Sequence, residues 1–156
     1  MPKTIAEAVA ALGHELPAAP APAANYVPYV QAGNLLFVSG QISQDRNGPA
    51  YLGHLGDTVS LEDGRKAAEL CALAILAQVA AATGGELSRI RRVVRLGVFV
   101  ASAPGFTQQP QVGNGASDLI AAVFGDKGRH ARAAVGVAAL PRGVAVEVEA
   151  VVELEG

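Results

Sequence analysis

The chain has 156 residues, of which 51% are hydrophobic and 17% charged, with a formal net charge of −2. That length forms one domain, which buries roughly 70% of the surface its unfolded chain exposes, and no disulfide framework is needed to hold it. The slightly acidic balance lacks the basic footprint of a nucleic-acid binder. The single cysteine, Cys71, cannot close an internal bridge, fits a reducing compartment, and reads as a small buried hydrophobe on a helix.

From the N-terminus, residues 4–12 place Ile5, Ala8, Val9 and Leu12 on one side before Gly13, which predicts a short helix. This stretch is neither a signal peptide nor a membrane span, so the expected location is the cytoplasm, with no membrane partner. Three prolines in PAAPAPAAN (17–25) break regular structure and suit a connector lying on a surface. Residues 1–24 are therefore set apart as helix and connector, and 25–156 as the main domain. Tyr26–Ser39 reads as an extended segment, a turn at Ala32–Asn34 and a strand, with a further turn at Asp45–Pro49.

The longest predicted helix starts at a Ser60 cap, with Asp63 three residues on, and runs about six turns to Thr83-Gly84-Gly85. Ile90–Val100 is a β-branched strand on which Arg91 and Arg95 share one face and Arg92 takes the other. A second helix covers Gln111–Phe124. Ala131–Ala139 and Val144–Leu154 complete the set as strands joined by Leu140-Pro141-Arg142-Gly143, read as a hairpin. The order is β(β)-α-β-α-β-β, an α+β sandwich with four main strands and both long helices on one face. The other face needs cover, and copies of the same chain would supply it.

Arg132 sits on a strand face with Ala134, Gly136 and Ala138, all small. A guanidinium fork beside empty space is a receptor for a carboxylate or phosphate; the alternative is an ion pair with a glutamate of the same sheet. The last strand puts Glu147, Glu149, Glu153 and Glu155 on one face. Glu153 and Glu155 fit a solvated row. Glu147 and Glu149 lie deeper, where a sheltered carboxylate gains the raised pKa that proton transfer uses. His54 and His130 have no second ligand at metal spacing, and no phosphate cradle or nucleophile elbow is visible, so no metal and no cofactor are expected.

NYVPYVQAGNLLFVSGQI (25–42), GVFVASAPGF (97–106) and above all HARAAVGVAALPRGVAVEVEA (130–150) resemble the Rid family, also called YjgF or endoribonuclease L-PSP. The resemblance spans roughly residues 25–154 and is to the divergent branch whose chains have this length. It implies a chorismate-mutase-like fold, a homotrimer with clefts between subunits, and cofactor-free hydrolysis of enamines and imines of amino acids to 2-keto acids and ammonia. By position, Arg132 matches the arginine that grips the substrate carboxylate and Glu147 the glutamate that activates water. Gly40 matches a glycine lining the cleft, and Tyr26 a tyrosine there. The chain departs from the pattern at Ala133 and Ala134, which replace Ser and Cys, and at His130, which replaces proline. A binding module that uses the same cleft without turnover is the alternative.

Overall fold

The structure is a computed structural model that describes residues 1–156. In chain order its elements are α1 (Ile5–Ala11), β1 (Tyr29–Ala32), β2 (Leu35–Ile42), β3 (Gln44–Asp45), β4 (Gly48–Pro49) and α2 (Leu61–Thr83). Then come β5 (Ile90–Ala101), α3 (Gln109–Phe124), β6 (Ala131–Val137) and β7 (Val146–Leu154). Ser60 starts α2 by accepting the Asp63 amide at 3.1 Å, and Glu62 and Asp63 complement the positive helix end. Gly84 ends the helix in the left-handed region, at φ 73°. α2 is long and apolar enough to cross a bilayer, but 67% of its apolar window is buried inside the fold, as in the core helix of a packed domain.

α2 and α3 lie together on one face of a mixed sheet ordered β1-β2-β7-β5-β6. They approach so closely that a Cβ at Gly115 would overlap the Arg65 carbonyl. The architecture is the expected α+β, chorismate-mutase-like sandwich, with one more strand than anticipated because Tyr29–Ala32 pairs along β2. β2 also runs past Ser39 to Ile42, through an irregularity between Val38 and Gln41.

The expected hairpin between the last two strands does not form. β7 runs antiparallel between β2 and β5, and β6 pairs in parallel with the outer side of β5. Pro141–Gly143, with Arg142 in the left-handed region at φ 59°, carries the chain across β5 rather than folding it back. A turn of that size looks like a hairpin in sequence; here the branched, fully buried Val146, Val148 and Val152 claim the centre of the sheet.

The arginines of β5 also depart from simple alternation. Register shifts between Ile90 and Arg92 and between Val93 and Arg95 insert bulges. They turn Arg92 and Arg95 toward the same row of glutamates on β7.

α1 begins at a capping box in which Thr4 Oγ1 accepts the Glu7 amide (3.1 Å) and Glu7 Oε2 accepts the Thr4 amide (3.3 Å). Its Ile5 and Val9 are fully buried in the common core. The proline-rich connector is tied down where Gln78 Nε2 donates to the Pro20 carbonyl at 2.7 Å.

Candidate ligand site

Arg132 leaves β6 on the helical side, beside Leu96 of β5, and its guanidinium lies against Gly113 of α3. A Cβ at Gly113 would come within 3.1 Å of Nη1, so a glycine makes the seat. Nη1 donates to Asn114 Oδ1 (2.9 Å) and Ser117 Oγ (3.1 Å), and Nη2 donates to the Pro110 carbonyl (3.1 Å). All three acceptors are neutral, and no carboxylate stands within ion-pair distance. The alternative of a glutamate partner in the sheet is thereby overturned, because the row of glutamates occupies the opposite face. Two donors, on Nε and Nη2, remain without a partner in the chain, the pair of adjacent nitrogens that a carboxylate takes.

Glu147 occupies the other face of the sheet. Its neighbours in β7, Val146 and Val148, are fully buried toward the helices, so Glu147 points away from them, next to Phe99 of β5 and Ile42 of β2. Its carboxylate lies over Gly40, where any Cβ would collide with Oε2. Glu147 and Gly40 are thus brought together, and the strand glycine marks a close approach. Burial, and after it the neighbouring Glu149 carboxylate, holds the Glu147 carboxyl above its usual range.

The structure separates the two glutamates that sequence left open. Glu149 pairs with Arg95 at 3.5 Å and is 46% exposed, whereas Glu147 has no ion pair. Gly97 gives Glu149 its room as Gly40 does for Glu147. Glu153 is not simply solvated: it takes Arg92 at 3.0 Å and Arg91 at 4.0 Å. Beneath the strand, Cys71 is buried; burial first and Glu147 second push its thiol up, so it stays protonated and inert.

Tyr26 stands apart from both groups. Its side chain is exposed, and its hydroxyl accepts the Ala23 amide at 3.4 Å. The following residue reaches the site's border, where the Ser39 hydroxyl donates to the Val27 carbonyl at 2.8 Å, one residue before Gly40.

Arg132 and Glu147 do not meet within one chain. They lie on opposite faces, two strands and three residue steps apart, so their Cα atoms are separated by about 14 Å. The face bearing Glu147 also exposes Val30, Phe37 and Val135.

Sequence reasoning missed Asn114 and Ser117, which with Pro110 form one stripe of α3 beneath the guanidinium. The available signal was their helical spacing around Gly113. It also left His130 unassigned, although His130 Nε2 lies 2.8 Å from Ser117 Oγ.

The chain matches the YjgF/chorismate mutase-like family over residues 6–154. Protein TCP17 of Trypanosoma cruzi is 56% identical over 144 residues, covering 92% of this chain and 89% of that protein. A 2-iminobutanoate/2-iminopropanoate deaminase of Dermatophagoides farinae is 29% identical over 140 residues, covering 89% and 93%. The crystal structure of Atu1372 from Agrobacterium tumefaciens, a protein of unknown function, superposes with a TM-score of 0.91 at 52% identity, covering 97% and 92%. RidA from an Antarctic Psychrobacter superposes at 0.57 with 30% identity, covering 86% and 93%.

Proposed function

The chain belongs to the YjgF/chorismate mutase-like family, and from that premise we propose that it hydrolyses small 2-imino or 2-amino-enoic acids to 2-keto acids and ammonia. The observation that carries this reading is the Arg132 guanidinium: partly buried, without an acidic partner, and with a pair of donors left for a carboxylate. The deaminase relative of Dermatophagoides farinae points to the same substrate class.

In this reading Arg132 anchors the carboxylate and Glu147 takes a proton from water as the water oxygen bonds to the C=N carbon and the π pair moves to nitrogen. Glu147 then returns the proton to that nitrogen, and the C–N bond breaks to release ammonia as the carbonyl forms. The raised Glu147 carboxyl, half-buried over Gly40, suits that role better than the ion-paired Glu149. Because the two groups face opposite sides of one sheet, the reaction requires assembly, so that a cleft between copies joins Arg132 of one to Glu147 of another. A homotrimer in which edge strand β6 of one copy, which carries Arg132, meets the open face of the next supplies such a cleft and covers Val30, Phe37 and Val135. The carboxylate anchor and the water-activating group need no cofactor and no nucleic acid.

The same separation favours one second reading, a 2-keto acid binding protein that engages Arg132 alone. A coupled assay decides between them: threonine dehydratase releases the enamine, and 2-ketobutyrate appearance is followed with and without the purified protein. Acceleration that Arg132→Ala abolishes supports the deaminase. Binding of 2-ketobutyrate with no acceleration leaves the binding protein.

A further inference from the structure

Beside Arg132 lies a hydrogen-bonded couple that the deaminase reading does not use. His130 Nδ1 is 2.6 Å from the Gly128 carbonyl, which can only accept, so Nδ1 carries a proton. In the neutral ring Nε2 is then bare, and the Ser117 hydroxyl donates to it over 2.8 Å. That leaves the Ser117 lone pairs for Arg132 Nη1 at 3.1 Å. The chain reads Arg132 Nη1 to Ser117 Oγ to His130 Nε2, and it is polarised in one direction.

Protonating His130 reverses one link. Nε2 becomes a donor, Ser117 Oγ then accepts from both cationic groups, and two positive charges stand within about 6 Å across a single oxygen. An anion on the free donors of Arg132 offsets that repulsion, so each event favours the other. The other charges carried by the elements around His130 are already engaged. Asp118 of α3 pairs with Arg65 (3.7 Å), and Asp126 with Arg129 (3.6 Å) in the turn before β6. Lys127 donates to the Ile90 carbonyl (3.2 Å), and on the far face of β5 Arg95 pairs with Glu149 (3.5 Å).

We propose that Ser117 and His130 are positioning residues of the Arg132 site and make its carboxylate binding proton-linked, with a proton taken up by His130 as a 2-keto acid binds. The proposal rests on Arg132 being a carboxylate anchor, and it adds a dependence that an arginine alone cannot have, since a guanidinium stays charged at every relevant pH. Ligand affinity should rise about three- to tenfold as the pH falls from 8 to 5.5.

The test is calorimetric titration of the intact protein with 2-ketobutyrate in buffers of different ionisation enthalpy, across that range. The expected result is proton uptake on binding that disappears in His130→Gln and falls in Ser117→Ala, while both variants still bind. Binding without proton uptake at any pH, or uptake that persists in His130→Gln, overturns the coupling and leaves Arg132 as an anchor. No binding by the wild-type protein, or binding unchanged in Arg132→Ala, overturns the anchor itself and the coupling with it.

Discussion

The two faces of the sheet are built by different rules. On the helical face the side chains are apolar and tightly fitted, and its few polar groups bond within the chain: Gln78 reaches Pro20, and Arg132 reaches three acceptors on α3 with two donors to spare. The open face alternates charge with exposed apolar surface, Arg92 and Arg95 against Glu153 and Glu149 beside Phe37, Val30 and Val135. A face that solvent alone should cover does not keep both Phe37, at 44%, and Val135, at 47%, exposed. The helical face therefore carries the fold, and the open face leaves apolar side chains uncovered in the single chain. Each face contributes one unpaired ionisable group, Arg132 to the first and Glu147 to the second.

The comparison breaks most severely where the helices touch. Gly115→Val sets side-chain atoms into the Arg65 carbonyl, and overpacking against backbone cannot be relieved by a rotamer change, so α2 and α3 must part. The expected result is loss of the cooperative thermal transition, or a Tm lowered by tens of degrees, read by circular dichroism. A glycine-to-valine change on the open face, at Gly97, instead meets side chains alone, Glu149 from its Cγ outward and the Arg95 guanidinium, which can swing into solvent, and should leave a folded protein.

Next in size is Glu147→Gln. If this carboxylate receives the proton of the attacking water, turnover falls by a factor on the order of 10²–10⁴, while 2-ketobutyrate affinity is unchanged because Arg132 is untouched. Glu149→Gln, which removes an exposed ion-pair partner, should alter turnover less than about threefold. A reversal of the two results moves the catalytic role to Glu149.

How much of this was legible in the residues differs between the faces too. The helices were visible because their caps and stops are chemical: Ser60 with Asp63, Gly84, Gly125. The last two strands were visible as strands but not as non-neighbours, since nothing local in LPRG distinguishes a hairpin from a crossover, and pairing is decided by which strand is buried on both sides. The bulges in β5 were equally hidden, because period-two reasoning has no term for an extra residue. Arg132 was found from its small neighbours Ala134 and Gly136. Its seat of Gly113, Asn114 and Ser117 was not, because residues 15 to 20 positions away become neighbours only when α3 packs on the edge strand.

The open face yields a prediction of intermediate size. Phe37→Asp places a charge in the exposed apolar surface between Val30 of β1 and Val151 of β7, without touching the helical core. Burying an unpaired carboxylate is costly, so self-association through this face should weaken by at least about tenfold while the monomer stays folded. Sedimentation at micromolar concentration reads the change. A variant with unaltered mass overturns assembly through this face and, with it, the proposed cleft between Arg132 and Glu147.

The smallest effect concerns the charge on Glu147 itself. Its carboxyl titrates above the usual range in the folded chain, because burial and then Glu149 disfavour the anion, so the folded state holds a proton that the unfolded state has already released. This contribution is fully present below the unfolded value and is lost as the pH rises through the folded one. Above that point the ionised carboxylate costs stability, which Glu147→Gln restores. The variant should match or fall slightly below wild type at pH 4 and exceed it at pH 8 by about 2 °C in Tm, as followed by scanning fluorimetry across the pH range. Glu149→Gln should give a smaller rise, since it removes only the second cause and surrenders the Arg95 pair as well. A difference that does not change with pH means the Glu147 carboxylate is no worse solvated in the folded protein than in the unfolded one, and then the open face holds no carboxyl prepared to take a proton.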